Sequence, residues 1–174
     1  MRHLLLLAPL ALLACERDEM RTGMPVSGGR VATASLATPA GAPAGRATVT
    51  EVAGGLRAAV DASGLTPGVH GVHVHTIGRC DAPSFESAGP HWNPANTKHG
   101  TMNPQGPHAG DMPNLTAGPD GRGTLVITLA GATMDGLLDA DGAAMIVHAA
   151  ADDLMTDPSG NSGGRVSCGV MRAS

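Results

Sequence analysis

From residue 31 onward, apolar and polar residues alternate in short runs that are separated by turn residues. Runs with the length, alternation or β-branched content of strands cover 31–38, 46–52, 56–62, 69–75, 124–129, 144–148 and 165–170. Short strands divided by Gly- and Pro-containing turns are typical of β-sandwiches and barrels. The pattern therefore predicts an all-β domain over 31–174.

Two stretches of the chain break this pattern. Residues 76–123 and 152–164 show no periodicity, and Gly, Pro, Asn and His dominate the first of them. An irregular segment of that length inside a compact domain is either functional or a wrong assignment of its elements. Its histidines favour a functional loop.

The amino terminus has the pattern of a targeting signal. Arg2 precedes an apolar run over 4–13, which is too short to span a bilayer as a stable helix. The run leads into L-L-A-C, which resembles the signal of a bacterial lipoprotein, whose cysteine becomes the lipidated first residue. We therefore predict a signal peptide over 1–14, then a lipidated Cys15 and a flexible tether over 15–30. An ordinary secretory signal cut at the same place is the alternative.

Both kinds of signal direct the protein out of the cytoplasm. We expect a lipoprotein of the cell envelope that faces the periplasm and is held to the membrane by its lipid, or otherwise a protein secreted to the periplasm. Glu16 follows Cys15, where an aspartate is associated with retention in the inner membrane, so the outer membrane is favoured.

The three cysteines fit this interpretation. If Cys15 carries lipid, Cys80 and Cys168 remain as a pair of cysteines in an oxidising compartment. A bond between them would close a loop of 168 − 80 = 88 positions.

Charge and aromatic content exclude one class of partner. The net charge is −4, and the aromatic residues are one Phe and one Trp. A nucleic-acid-binding protein normally carries a basic surface, and a binder of single strands needs aromatic side chains for stacking. We therefore expect no nucleic-acid partner.

The histidines carry the candidate chemistry. Alternation along the strand predicted over 69–75 places His73 and His75 on one face, where two imidazoles form half of a transition-metal site. An exposed polar face is the alternative, and it is disfavoured because Asp111 and further histidines follow in the irregular segment. Histidines with one carboxylate suit zinc or copper better than calcium or magnesium.

A wider set of motifs points to a known family. The chain contains G-V-H-G-V-H-V-H at 68–75, H-W-N-P at 91–94, K-H-G at 98–100, H-A-G-D at 108–111 and G-G-R-V-S-C-G-V at 163–170. With these motifs the sequence resembles the bacterial copper–zinc superoxide dismutases over about residues 31–174. The resemblance implies an immunoglobulin-like Greek-key β-sandwich or flattened barrel of about eight strands, with a long metal-binding loop and a second active-site loop.

The resemblance also implies a function and a set of site residues. It implies that superoxide is disproportionated to hydrogen peroxide and dioxygen at a histidine-bridged centre with one copper and one zinc per subunit. The implied copper ligands are His73, His75, His91 and His148, and the implied zinc ligands are His91, His99, His108 and Asp111. The implied supporting residues are Asp152 as a carboxylate joining a copper and a zinc ligand, Arg165 and the bridging His91 as catalytic residues, Cys80 and Cys168 as a disulfide, and His70 as a histidine that binds no metal.

One alternative function has to be weighed against this enzyme. A superoxide-dismutase-like protein could bind copper and zinc outside the cytoplasm without turnover, but such a protein would keep some ligands and lose others. Here the whole ligand set occurs together with Asp152 and Arg165, which favours the enzyme. Arg79 and Lys98 are candidates for helping Arg165 to attract the anion. The sequence is compatible with a monomer and with a homodimer.

Overall fold

The computed structural model describes residue 24 and residues 26–174. The predicted signal peptide, Cys15 and most of the predicted tether lie outside the described residues. Among the described residues, no helix is long and apolar enough to cross a membrane.

Strands dominate the described part of the chain. They are β1 Val31–Ala37, β2 Pro43–Val52, β3 Gly55–Ala62, β4 Gly68–His70, β5 Val72–His75, β6 Leu115–Ala117, β7 Gly123–Ala130, β8 Ala144–His148, β9 Arg165–Val170 and β10 Arg172–Ala173. A 3-10 turn at Glu86–Ala88 and one helical turn, α1 at Met134–Leu137, complete the regular structure there. The all-β prediction is confirmed.

The strands curl into a flattened barrel. The main sheet has the order β5-β8-β9-β1-β2-β3-β7, with β10 paired to β1, and a separate ladder joins β4 to β6. The small ladder closes the gap between the two edges of the main sheet, because β4 leads into β5 across one residue and β6 packs against β7. The β3–β7 and β5–β8 pairings join strands that are far apart in sequence, as in a Greek key.

The interior of the barrel is built from small and aliphatic side chains. Every second residue of β1 and β3 is buried, namely Ala32, Ala34, Leu36, Leu56, Ala58, Val60 and Ala62. Trp92 is the aromatic member of this core.

The strands of the structure differ from the predicted strands in three places. The run over 69–75 is two strands, since Gly71 separates β4 from β5. The stretch 76–123, predicted to be irregular, contains β6, which pairs with β4 over only three residues. Strand β2 begins at Pro43, before the predicted start at residue 46, because its first residues still pair with the end of β1.

Two loops lie over one end of the barrel and carry the chemistry. We call residues 76–114, between β5 and β6, the long loop, and residues 149–164, between β8 and β9, the second loop. A disulfide between Cys80 and Cys168, with a Cα–Cα distance of 5.7 Å, fastens the long loop to β9. Phe85 and Ile146 pack with Cys168 in a small cluster beneath this attachment. The predicted disulfide is confirmed.

Candidate metal centre

Two adjacent strands position the first three candidate ligands. All four residues of β5 are buried, including His73 and His75, and β8 ends at the buried His148. The two strands are antiparallel, with Val72 opposite Val147, so the three imidazoles are neighbours. The long loop adds His91, whose backbone forms a bridge with that of His75.

The resulting four-histidine group, His73, His75, His91 and His148, converges on one point. One nitrogen from each ring lies within 4.8 Å of the others. The nitrogens His73 Nδ1, His75 Nε2, His91 Nε2 and His148 Nε2 are all buried and have no hydrogen-bond partner. Buried polar atoms in proteins are normally hydrogen-bonded, so four such nitrogens facing each other indicate a place for a cation.

The Asp111 group, His91, His99, His108 and Asp111, forms a second cluster beside the first. Asp111 Oδ1 lies 2.9 Å from His91 Nδ1, 3.1 Å from His99 Nδ1 and 3.3 Å from His108 Nδ1. Asp111 Oδ2 accepts hydrogen bonds from the backbone N–H groups of Gly100 and His108, at 2.8 and 2.9 Å. Three imidazole nitrogens and one carboxylate oxygen match the tetrahedral donor set that zinc prefers.

His91 belongs to both groups. Its Nδ1 is directed to Asp111, and its Nε2 is one of the unpartnered nitrogens of the four-histidine group. Its ring also stacks on that of His73, with 3.9 Å between centroids. An imidazole whose two nitrogens face two different ligand groups has the geometry of a bridging ligand.

Asp152 connects the two groups from outside. Its Oδ2 accepts a hydrogen bond from His73 Nε2 at 2.7 Å, and its Oδ1 accepts one from His99 Nε2 at 3.0 Å. The carboxylate thereby orients one ring of each group, as carboxylates behind metal-bound histidines do. Asn114 fixes Asp152 in turn by hydrogen bonds to both its backbone N–H and its backbone carbonyl, each of 2.8 Å.

Backbone carbonyls orient two further rings. His75 Nδ1 donates to the carbonyl of Gly89 at 2.8 Å, and His148 Nδ1 donates to the carbonyl of Gly163 at 3.1 Å. In both residues the hydrogen bond holds the proton on Nδ1, which leaves the lone pair on the unpartnered Nε2. The structure places His70 outside both groups, with its ring nitrogens facing the carbonyls of His148 and Thr66.

Burial keeps three rings of the four-histidine group neutral. It lowers the pKa of His73 to about 4, that of His148 to about 3 and that of His75 to about 2. Neutral imidazole is the form that binds metal, so these rings are ready to ligate at neutral pH.

Hydrogen bonds outweigh burial at the two carboxylates, Asp111 and Asp152, and keep both charged. Burial by itself raises the pKa of Asp111 and that of Asp152, but hydrogen bonds from the histidines hold both well below the usual range. Burial also acts to lower the pKa of His99, yet its hydrogen bonds to the same two carboxylates raise it to about 9. The Asp111 side of the centre therefore carries negative charge that a divalent cation would neutralise.

An open cavity of about 600 Å³ leads to the four-histidine group. It is lined by His75, His91 and His148, and of its lining residues Arg165 and Glu86 carry the charges. The Arg165 guanidinium donates to the carbonyls of Phe85 and Gly89, at 2.6 and 2.8 Å, which flank the 3-10 turn that carries Glu86. Burial lowers the pKa of Arg165 and the charge of Glu86 opposes that shift, so the guanidinium stays protonated at neutral pH.

The two other candidate cations do not line this cavity. Arg79 forms an exposed ion pair with Asp81 next to the disulfide. Lys98 pairs with Asp157 at 3.1 Å and lines a different cavity, together with His108 and Trp92. Neither position supports a direct contact with an anion at the four-histidine group.

Two glycines of the centre were not singled out by the sequence analysis. At Gly160, where φ is +60°, a Cβ would lie 1.7 Å from Asp152 Oδ1 and 2.7 Å from His99 Nε2. At Gly100, where φ is +100°, a Cβ would lie 2.1 Å from the carbonyl oxygen of Leu154. Both positions require glycine because the two loops touch there. Isolated glycines in a Gly-rich sequence carry no signal that would have separated them from ordinary turn residues.

Comparison with known proteins decides the family. The profile of the family described as "Copper/zinc superoxide dismutase (SODC)" matches residues 43–171. The chain belongs to the copper/zinc superoxide dismutase family. It is 43% identical over 148 residues to "Superoxide dismutase [Cu-Zn]" of Caulobacter vibrioides, which covers 81% of this chain and 85% of that protein.

Solved structures agree with this membership. "Cu/Zn superoxide dismutase from Brucella abortus" is 29% identical, with a TM-score of 0.67, and the match covers 82% of this chain and 99% of that one. A "SOD-like protein from Bacillus subtilis" is 40% identical, with a TM-score of 0.75, and covers 79% of this chain and 96% of that one.

Family membership settles the class of chemistry. The chain is an enzyme of superoxide dismutation, and the cofactors of its family are copper and zinc. The residues present fit both metals, since this chain supplies a group of four histidines and a group that combines three histidines with one carboxylate.

Proposed function

We propose that the four-histidine group holds one copper ion per subunit, that the Asp111 group holds one zinc ion, and that superoxide is disproportionated to hydrogen peroxide and dioxygen beside the first group. The observation that supports this most directly is the set of four buried, unpartnered nitrogens, one of which belongs to a ring whose other nitrogen faces Asp111. An ordinary polar cluster would satisfy such nitrogens with hydrogen bonds.

When bound, copper supplies the one-electron oxidation and reduction that the reaction needs, and zinc, which is not redox-active, supplies fixed charge. The residues of the chain do the remaining work. Asp152 and the carbonyls of Gly89 and Gly163 hold the rings in orientation, and the disulfide holds the long loop against β9.

Arg165 and His91 are the residues that we assign to the reaction itself. Arg165 presents a permanent positive charge and a planar fork of donors to a small anion in the cavity. Reduction of superoxide to peroxide consumes two protons for each peroxide formed. His91 lines the cavity, its Nε2 belongs to the four-histidine group, and we assign to this residue the holding and delivery of one of these protons.

The direct test is metal analysis together with a dismutation assay. We expect the purified protein to hold about one copper and one zinc per chain, and to lose activity when copper is removed and regain it when copper is restored. A protein that holds both metals and does not accelerate superoxide decay would instead be a metal-binding relative without turnover. The complete ligand set, together with Arg165 held by two hydrogen bonds at the cavity, argues against that alternative.

We further propose that the protein is a lipoprotein of the cell envelope facing the periplasm, with the outer membrane favoured, and that Cys15 carries its membrane anchor. The support is L-L-A-C at 12–15 and the apolar run before it. Cys15→Ser should move the protein from the detergent phase to the aqueous phase while dismutase activity per metal stays unchanged. Equal partitioning of mutant and wild type would refute the anchor. Stable anchoring requires more than one acyl chain, as bacterial lipoproteins provide.

A further inference from the structure

The outward-facing ring nitrogens of the candidate ligands reveal one more supporting residue. His73, His75, His99 and His148 each donate their outward nitrogen to an oxygen at 3.1 Å or less. His108 is the remaining ligand with an outward nitrogen, since His91 uses both of its nitrogens within the centre. Its Nε2 faces Asp157 Oδ1 at 3.8 Å.

Asp157 belongs to the second loop, yet its contacts are with the long loop. Its Oδ1 accepts a hydrogen bond of 2.8 Å from the backbone N–H of His99, and its Oδ2 pairs with Lys98 Nζ at 3.1 Å. One carboxylate therefore contacts the backbone of one ligand of the Asp111 group and faces the imidazole of another. At 3.8 Å the contact with His108 is longer than a hydrogen bond, and it places a carboxylate in front of the outward nitrogen of that ring.

We propose that Asp157 is a positioning residue of the zinc half of the centre, complementary to Asp152, which spans both halves. The inference rests on the proposed function, because it assumes that the Asp111 group holds zinc. A histidine that binds metal through Nδ1 carries its proton on Nε2, and a carboxylate that faces this N–H orients the ring and makes it a stronger donor to the metal. By holding His99 at the same time, Asp157 fixes two of the four zinc ligands relative to each other.

The alternative is that Asp157 only joins the loops through its ion pair with Lys98. The side chains of both residues are about half exposed, at 54% for Lys98 and 40% for Asp157, and exposed pairs of this kind contribute little to stability. Lys98→Gln removes the ion pair and leaves both contacts of Asp157 with the ligands in place. It is therefore the matched control.

The experiment measures zinc release from the metal-loaded protein to a chromogenic chelator at pH 7, for wild type, Asp157→Ala, Asp157→Asn and Lys98→Gln. Loss of such an outer carboxylate typically costs a factor of about 10 to 100 in metal affinity, so we expect Asp157→Ala to release zinc about tenfold faster or more. Asp157→Asn keeps an acceptor for the His99 N–H, so its rate of zinc release should lie between those of wild type and Asp157→Ala. Lys98→Gln should resemble wild type.

A second readout separates positioning from a general loosening of the loops. With Co(II) in place of zinc, the visible spectrum of the Asp111 group should change in Asp157→Asn, while copper content should stay at the wild-type value. If Asp157→Ala does not fold, the test uses Asp157→Asn, and its melting temperature shows that this variant is folded. The inference is refuted if zinc release is unchanged in the Asp157 variants, or if Lys98→Gln releases zinc as fast as they do. If the wild-type protein itself binds no zinc, the proposed function fails instead.

Discussion

Replacing Arg165 by alanine tests whether the cavity over the four-histidine group captures an anion. The guanidinium is fixed by the carbonyls of Phe85 and Gly89 and lines the cavity together with three histidines of the group. It contacts neither Asp111 nor Asp152, so we expect the variant to keep its copper and zinc. What the substitution removes is one positive charge and a planar set of donors at the point where superoxide would arrive.

The size of the effect follows from the size of the cavity. A sphere of about 600 Å³ has a radius of about 5 Å, which sets the distance between the guanidinium and an anion at its centre. At about 5 Å, two unit charges attract by about 0.8 kcal/mol at the dielectric constant of water, and by about 3 kcal/mol at an effective value of about 20. Arg165 is half-buried, so we expect about 1.5 kcal/mol, or about a tenfold loss in kcat/KM.

Glu86 provides a test of opposite sign in the same cavity. Its carboxylate is exposed and beside Arg165, so Glu86→Gln should raise kcat/KM by about threefold at low salt. The assay is the second-order rate constant of superoxide decay at several ionic strengths. Raising the salt should slow wild type, with a shallower slope for Arg165→Ala and a steeper slope for Glu86→Gln, because screening acts over about 8–10 Å.

The control for this experiment is Arg57→Ala on the outer side of β3. It makes the same change in net charge as Arg165→Ala, but Arg57 does not line the cavity. We expect its kcat/KM to stay near the wild-type value. If Arg57→Ala and Arg165→Ala lose the same activity, or if Arg165→Ala keeps full activity and its salt slope at full metal content, the role assigned to Arg165 is wrong.

Three further predictions concern the metals, the disulfide and pH. His91→Ala should lower the occupancy of both metals, whereas His99→Ala should lower the occupancy of zinc and leave copper largely bound. Anomalous scattering measures both occupancies. If both metals are undisturbed in His91→Ala, His91 is not the bridging ligand. Cys80→Ser should lower the melting temperature, because the bond contributes on the order of 4–5 kcal/mol in the chain-entropy model; an unchanged melting temperature would count against this. The metal-free protein should be most stable near pH 6.5. Below 6.5 the unfolded state gains protons on His73, His75 and His148 that the folded state does not bind, and between 6.5 and about 9 the folded state keeps a proton on His99 that the unfolded state has lost, so stability falls in both directions. Each extra proton bound by the unfolded state costs about 1.4 kcal/mol per pH unit, and melting temperatures at pH 5, 7.5 and 10 that do not differ would refute the assignment.

The fold was predictable where a strand is long enough to show its alternation. The periodic runs over 31–38 and 56–62 correspond to β1 and β3, in which every second side chain is buried in the core. Strand β6 was missed because three residues paired to one short partner leave no periodicity in the sequence. The one-turn helix α1 was missed for the same reason, since four residues cannot show a helical repeat.

The candidate site was predictable at the level of residue types and not at the level of their hydrogen bonds. The spacing of His73 and His75 on one strand places them together by elementary geometry. The convergence of His91, His99 and His108 depends on the path of an irregular loop, and only the motif resemblance pointed to it. Asp157 could not be distinguished from the other carboxylates of the second loop, because its role depends on which face of the long loop it meets.

The arrangement of the centre implies that metal binding and folding are strongly linked. A buried donor or acceptor without a partner costs about 1–3 kcal/mol, and the four-histidine group contains four such nitrogens. The fold holds these groups together by restraints that need no metal: the disulfide, the bridge through Asp152 and the close contact of the loops at Gly100 and Gly160. A cation that binds the folded centre and not the unfolded chain relieves the cost of the unpartnered atoms and stabilises the fold by mass action. The restraints that hold the unpartnered nitrogens together in the metal-free protein therefore also keep the ligands in place for the metals.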